Sequence, residues 1–488
     1  VRQRATAFFL CLAAVAAPGA RAAEEAARLS AALQGDTPLA SDLRALTDGI
    51  GGRATGSEAN RKSVQWALAR LREAGLQARA EPFTMPRLWL ERSSSATVSG
   101  DAAFAARVVA MPFSAAGRFS APLVDGGFGS EADFARLGGT ARGAFVLLET
   151  HPLLDLAGLF REYAESAAID ARARAAGALG VVTQSSRPRG LLYRHNAPQG
   201  DKNARPMLIM DREAAARALR LLREGRRLAL GAEIDVQEGG AYTAENVVGD
   251  IPGSDRPEEV VLLGAHLDAW ELGTGALDNG CNVALLIDVA RQIKALGLKP
   301  RRTLRFVLWN GEEQGLMGSW AYVRDHAAEL DRHRMAASFD IGSGAITGFF
   351  TGGRGAEMKP ALDAALAPVA ALGPFTHVDE PVVGTDNYDF MMEGVPNLVA
   401  VQADATYGPD YHASSDTFDK VDVPQVKRNA AVVAALAWAL AQDEAAWPRH
   451  TAAQVTALVE TTSLKDQMVS FGVMEDWKAG RRGRRAPR

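Results

Sequence analysis

Four apolar runs in this chain lead straight into residues that bind metals or move protons. Residues 260–263 lead into Gly264-Ala265-His266-Leu267-Asp268, and twelve residues past the histidine stands Asp278. Residues 304–309 lead into Asn310-Gly311-Glu312-Glu313, and residues 336–339 into Asp340. Residues 398–401, after a loop, lead into Tyr411-His412 and on to Asp416. Each has an ordinary reading alone. A histidine after a strand is mostly a loop or core residue, a Glu-Glu pair a solvated turn, and a lone Asp a helix N-cap, as Asp278 would be for the helix after it. Together they are more specific. Carboxylates converging at strand ends repel one another and lose solvation. A divalent cation removes that conflict, and His, Asp and Glu are ligands that zinc takes, with two metals about 3.5–4 Å apart in many hydrolases.

Those residues need a scaffold that gathers strand ends. From Glu245 onward strand-like runs (260–263, 304–309, 336–339, 398–401) alternate with helical ones (283–296, 316–327, and an Ala-rich stretch from Asp422 to Ala441). The pattern predicts an α/β fold with a mostly parallel central sheet flanked by helices. Upstream, residues 63–74 have helical spacing with Gly75 as a C-cap, and 76–83 read as extended. A separate unit spans 112–238, with strands at 144–148 and 178–182, a helix at 160–176 and a polar, turn-rich stretch at 187–203. The expected organisation is 24–111 and 239–445 as two parts of a catalytic domain, 112–238 as an insert, and 446–488 as an extension with a basic, solvated tail.

Composition excludes several classes. With 47% apolar and 23% charged residues over 488 positions, the chain is not disordered. A net charge of −4 argues against a nucleic-acid partner held by a basic field. Cys11 and Cys281 form neither a disulfide framework nor a Cys-based zinc site. Arg2 and Arg4, the apolar run 7–17 and Ala20-Arg21-Ala22 read as a cleaved signal peptide over 1–22, too short for a spanning helix, which needs about 20 residues. The expected location is secreted or periplasmic, with no stable membrane span after cleavage.

The runs Gly264–Trp270, Gly275–Gly280, Trp309–Gly315 and Tyr411–Thr417, with Ile50–Ser57 upstream, resemble the co-catalytic zinc exopeptidases of the aminopeptidase and glutamate carboxypeptidase family, in its carboxypeptidase Q branch. The resemblance covers nearly all of 36–445 and makes the insert similar to a protease-associated domain. It implies two zinc ions per chain. His266 and Asp340 would bind one, Glu313 and His412 the other, and Asp278 would bridge them. Glu312 would be the general base acting on the metal-bridging water. Asp268 and Asp416 would be supporting acids, Asp268 orienting His266. Tyr411 would either donate to the oxyanion or serve as packing. The implied substrate is a dipeptide or short peptide; a broader aminopeptidase, or a binding module built on the insert, are the other readings, and a homodimer is possible. Glu271 stands where Asp is common, and Cys281-Asn282 replace small residues; Cys281 reads as structural. Stretch 187–203 reads as a surface loop or as a lid over the cleft.

Overall fold

The computed structural model describes residues 18–195, 205–340, 342–403 and 407–483. The apolar run of the expected leader (7–17), residues 196–203 of the polar stretch, and the last arginines of the tail lie outside the described residues.

Two sheets share the chain. Strand β1 (Gln77–Met85) belongs to the first. The chain then enters the second with β2 (Leu88–Gly100), β3 (Phe104–Ala106), β4 (Val108–Ala110), β5 (Gly117–Asp125), β6 (Phe145–Leu148), β7 (Gly180–Gln184), β8 (Met207–Met210) and β9 (Leu228–Gly239). It returns to the first with β10 (Tyr242–Ile251), β11 (Arg256–His266), β12 (Arg302–Trp309), β13 (His333–Ser338), β14 (Ile346–Phe350) and β15 (Asn397–Gln402).

The first sheet has the order β1-β10-β12-β11-β13-β15-β14. Its centre, β12-β11-β13-β15, is parallel, while β1, β10 and β14 pair antiparallel at the edges. The sheet is therefore mixed rather than mostly parallel. The edge strands lack the unbroken apolar runs of the centre. In β11, Val261, Leu263 and Ala265 point to one apolar cluster and Val260 and Leu262 to another. A strand covered on both faces must be apolar at every position. One cover is the helices Cys281–Ala295 and Val423–Gln442, with Pro18–Gln34 and Leu39–Thr47 outside them; the other includes Met317–Asp325 and Tyr388–Met392.

The second sheet corrects the expected boundary at 112. Strand β2 pairs with β9 along its whole length, from Leu88↔Gly239 to Gly100↔Leu228, so residues 88–110 belong with the insert. The Ser-rich centre of β2, Ser93-Ser94-Ser95, hides its period of two. The two chain crossings lie side by side: Met85 pairs with Tyr242 just before Leu88 pairs with Gly239. The insert thus hangs on a two-stranded ribbon.

The end of the chain is also more ordered than expected. Helices Ala452–Thr461, Leu464–Ser470 and Met474–Lys478 pack against the catalytic half, and Arg482 is 2% exposed rather than solvated. Among the described residues no helix is long and apolar enough to cross a membrane.

Candidate active site

The parallel strands open their C-terminal ends on one edge of the sheet, where α/β proteins place ligands. His266 ends β11, in register with Trp309, which ends β12. Glu312 and Glu313 follow in the next turn, and Asp340 lies just past β13. Asp278 arrives on a turn before the helix Cys281–Ala295, and that turn is held from two sides. The buried Arg53 guanidinium donates to the carbonyls of Leu267, Thr274 and Gly275. The Asp416 carboxylate accepts the N–H groups of Ala276, Leu277 and Asp278 at 3.0, 2.6 and 3.1 Å. Gly275 has a φ of +62°, and a Cβ there would come within 2.2 Å of the Ala269 side chain, so only glycine fits.

These supports bring the five expected ligands together. His266 Nε2 is 3.0 Å from Asp278 Oδ1 and 3.1 Å from Asp340 Oδ1. His412 Nε2 is 3.1 Å from Asp278 Oδ2 and 2.8 Å from Glu313 Oε2. Asp278 thus turns one oxygen to each histidine and belongs to two triads at once. Both histidines are held alike: Nδ1 of His266 lies 3.0 Å from the Asp268 carbonyl, and Nδ1 of His412 lies 3.0 Å from the Arg194 carbonyl. Nδ1–H donates in each case, leaving Nε2 free to act as a ligand.

The donor set fits a metal. His266, Asp278, Glu313 and His412 are buried, the Asp340 side chain is 8% exposed, and Glu313 Oε1 has no hydrogen-bond partner. The ligand atoms of His266, Asp278 and Glu313 lie within 4.8 Å of one another. Burial, with the Asp278 charge beside it, pushes the Glu313 carboxyl up to about 7, and burial raises Asp340 as well. Against its own burial, His412 is pushed up to about 10 by Glu313 and Asp278. Imidazole and carboxylate donors in a dry pocket are the ligands of zinc.

Around this set Asp416 supports the Asp278 turn, while the Asp268 carboxylate does other work than orienting His266. Asp268 meets His266 through its main-chain oxygen; its carboxylate, 3.7 Å from the ring, instead accepts from the Thr55 hydroxyl at 2.7 Å and the Gly311 N–H at 3.0 Å. It fixes the turn that carries Glu312 and Glu313. Glu312, at 9% exposure, makes none of the close contacts that join the five; burial raises its pKa well above the usual carboxylate range, with Asp340 and Glu313 adding to it against the pull of His266. The Tyr411 ring stacks on His412 at 3.7 Å between centroids, and its hydroxyl hydrogen-bonds that of Tyr163, 2.8 Å away in the insert. Cys281 is buried, with Sγ donating to the Leu277 carbonyl, and burial raises its pKa, as expected of a structural thiol.

The insert supplies residues of the 187–203 stretch whose partners the sequence did not give. In its segment 187–195, Arg187 and residues 192–195 are buried, while Arg189 is exposed. Tyr193 bridges to Ala413, and Arg194 N–H donates to the His412 carbonyl at 3.0 Å. The Arg194 guanidinium, 1% exposed, pairs with Glu91 and Glu271 and donates to the Ala110 carbonyl. His412 has a φ of +54°, a conformation costing roughly 1–2 kcal/mol in a non-glycine residue, so its loop needs such a clamp. Arg187 donates to the Tyr411 carbonyl and lies over the Tyr193 ring. Asp386, fully buried, also faces the site; burial pushes its carboxyl well up, against the Ser319 hydroxyl and His266. Arg53 lies inside the early motif, and spacing gave no sign of its target.

Comparison with known proteins agrees with this geometry. Residues 246–437 match the profile of peptidase family M28. Human carboxypeptidase Q is 27% identical over 417 residues, covering 83% of this chain and 86% of that protein. The crystal structure of a peptidase M28 precursor from Shewanella amazonensis superposes with a TM-score of 0.81 at 26% identity, over 89% of this chain and all of that one. A zinc aminopeptidase from Bacillus subtilis shares the fold at a TM-score of 0.64 and 20% identity, over 84% of this chain and 97% of its own. With its strand-end cluster of histidines and carboxylates, the chain resembles the metallopeptidases of family M28, whose profile its residues 246–437 match.

Proposed function

We propose that this protein is an exported two-zinc exopeptidase of the carboxypeptidase Q type, hydrolysing dipeptides or short peptides, and that its eight-stranded insert is a protease-associated domain. The observation that carries the reading is Asp278, with one oxygen toward His266 and the other toward His412. His266, Asp278 and Asp340 would hold one ion, and Glu313, Asp278 and His412 the other. Bound zinc would polarise the scissile carbonyl and activate water. The remaining work falls to the protein. Glu312 carries a raised pKa and stands beside the triads without joining them, which suits a group that takes a proton from the attacking water and passes it to the leaving amine. Tyr411, fixed by Tyr163 and stacked on His412, is placed to donate to oxygen developing charge at that side.

The test is Glu312→Gln in the zinc-loaded protein, assayed on a dipeptide panel with metal content measured alongside. Both ions should remain while turnover falls by at least ~10²-fold, the low end for losing a general base. Retained metal with near-normal turnover would show that Glu312 is not the base and would point to Glu313.

A further inference from the structure

The C-terminal extension lies beyond the residues matched to the family, yet it reaches the site along two routes. The first is aromatic. Phe471, at the end of the helix Leu464–Ser470, stacks on Tyr163 of the insert, with centroids 5.3 Å apart and ring planes 17° from parallel. Tyr163 bonds Tyr411 hydroxyl to hydroxyl at 2.8 Å, and the Tyr411 ring lies 3.7 Å from that of His412. One ring from the extension, one from the insert and one from the catalytic loop form a continuous row that ends on a metal-ligand histidine.

The second route is polar. Arg482 is buried and donates to the Gly315 carbonyl at 2.8 Å. Its guanidinium lies 4.2 Å above the Trp320 ring and 3.8 Å from the Asp389 carboxylate. Gly315 is two residues past Glu313, so this contact grips the turn that carries Glu312 and Glu313. Between the two routes, Gln467 accepts the Val383 N–H and donates to the Pro381 carbonyl, while Leu464, Met468 and Met474 share an apolar cluster with Leu316 and Tyr388.

From this arrangement we infer that the C-terminal extension is a wall of the substrate cleft. Phe471 and Tyr163 stop the peptide on the Tyr411 side, and Arg482 clasps the wall to the catalytic half. An extended peptide advances about 3.3 Å per residue. A wall that stands behind Tyr411 and Tyr163, two rings from His412, therefore limits how far the chain can run beyond the scissile bond on that side, and the substrates it admits are short peptides. The inference rests on the exopeptidase reading above and adds the origin of its length limit. Phe471 acts on specificity by shape; it touches none of the reacting groups.

The experiment compares kcat/KM for a dipeptide, a tripeptide and a pentapeptide sharing one scissile bond, in the zinc-loaded parent, Phe471→Ala and Arg482→Ala. Zinc content and circular dichroism serve as controls. Phe471→Ala should raise the pentapeptide-to-dipeptide ratio at least about tenfold, the low end of what one apolar wall group contributes to discrimination. Arg482→Ala should raise the same ratio and expose the 446–483 segment to limited proteolysis. An unchanged ratio in folded, zinc-bound Phe471→Ala overturns the wall. Should that variant not fold, an unchanged ratio in Arg482→Ala whose extension has become cleavable does the same. A parent that cleaves no peptide at all removes the exopeptidase reading and the wall with it. A parent that cleaves dipeptides while both variants keep its length profile removes the wall alone.

Discussion

The two sheets of this molecule are of similar size, and each has its own apolar core, yet they meet the reaction centre in opposite ways. The seven-stranded sheet brings side chains: its parallel strands end in His266, Glu313 and Asp340, and its loops add Asp278 and His412. The eight-stranded sheet brings mostly backbone and clamps. It gives the Arg194 carbonyl that holds the His412 ring, the Tyr193–Ala413 bridge, and the Tyr163 hydroxyl that holds Tyr411. Among the described residues, no group of potential metal ligands lies in it. Parallel strand ends all face one way and so can gather charges. An insert hung on a ribbon is better placed to close over what the other sheet gathers.

The most severe break in this arrangement is Asp278→Ala. It removes the carboxylate common to both triads, so dialysed protein should lose both ions, where His412→Ala should lose one. The fold should suffer more as well, because His266, Asp340, Glu313 and His412 are left buried without the group between them. Metal analysis and thermal melting of the two variants in parallel make the check. Equal losses would mean that Asp278 serves one position only.

Arg194→Ala asks whether the insert matters to the metal. Its backbone bonds to His412 survive the substitution, but the guanidinium that fixes them between Glu91 and Glu271 is gone. Loss of support to a ligand typically costs 10–100-fold in affinity, so the ion held by Glu313 and His412 should weaken by about that factor while the His266 position keeps its own. Glu91, 8% exposed, is also left without its partner, a change worth roughly 3–5 kcal/mol when a buried pair is broken. The double variant Arg194→Met with Glu91→Gln relieves part of that cost, and Arg194→Lys should recover part of the affinity. Unaltered metal binding in a folded Arg194 variant would reduce the insert to scaffold.

These effects also show what could be read before the structure. The five proposed ligands were legible because each follows an apolar run that must be a covered strand, and parallel strands put their ends together. Their supports were not. Arg53 works through carbonyls 214 to 222 residues away, and Arg194 through a main-chain oxygen 218 residues from His412, contacts for which residue type gives no sign. The insert boundary was missed because β2 belongs to the sheet through its pairing with β9, 128 to 151 residues on, while its own composition is rich in serine. The tail was misread for a related reason: five arginines look solvated until one of them finds Trp320, Tyr388 and Asp389 in a groove built by distant segments.

The mildest test concerns acid, and it separates the sheets by the titratable groups that each has buried. His333 begins β13, at the end of the catalytic sheet away from the candidate site. Its Nδ1–H donates to the Glu329 carbonyl at 3.1 Å and its Nε2 accepts from the Tyr322 hydroxyl at 2.9 Å, an oxygen that in turn accepts from Arg305. The ring must be neutral to make both bonds. Burial, with Arg305 nearby, pushes its pKa down to about 4 from an ordinary 6.5. The unfolded chain therefore takes up this proton below about 6.5 and the folded one only near 4, so stability is lost as pH falls through that window. The loss is at most about 3 kcal/mol for the one group. Melting temperature should fall between pH 6.5 and 4, and His333→Gln, less stable at neutral pH, should show a shallower fall. Hydrogen exchange by segment should find the catalytic sheet opening before β5, β6 and β7 of the insert. An equal slope in His333→Gln would place the acid sensitivity elsewhere. A uniform opening of both sheets would mean that the ribbon couples them into one cooperative unit.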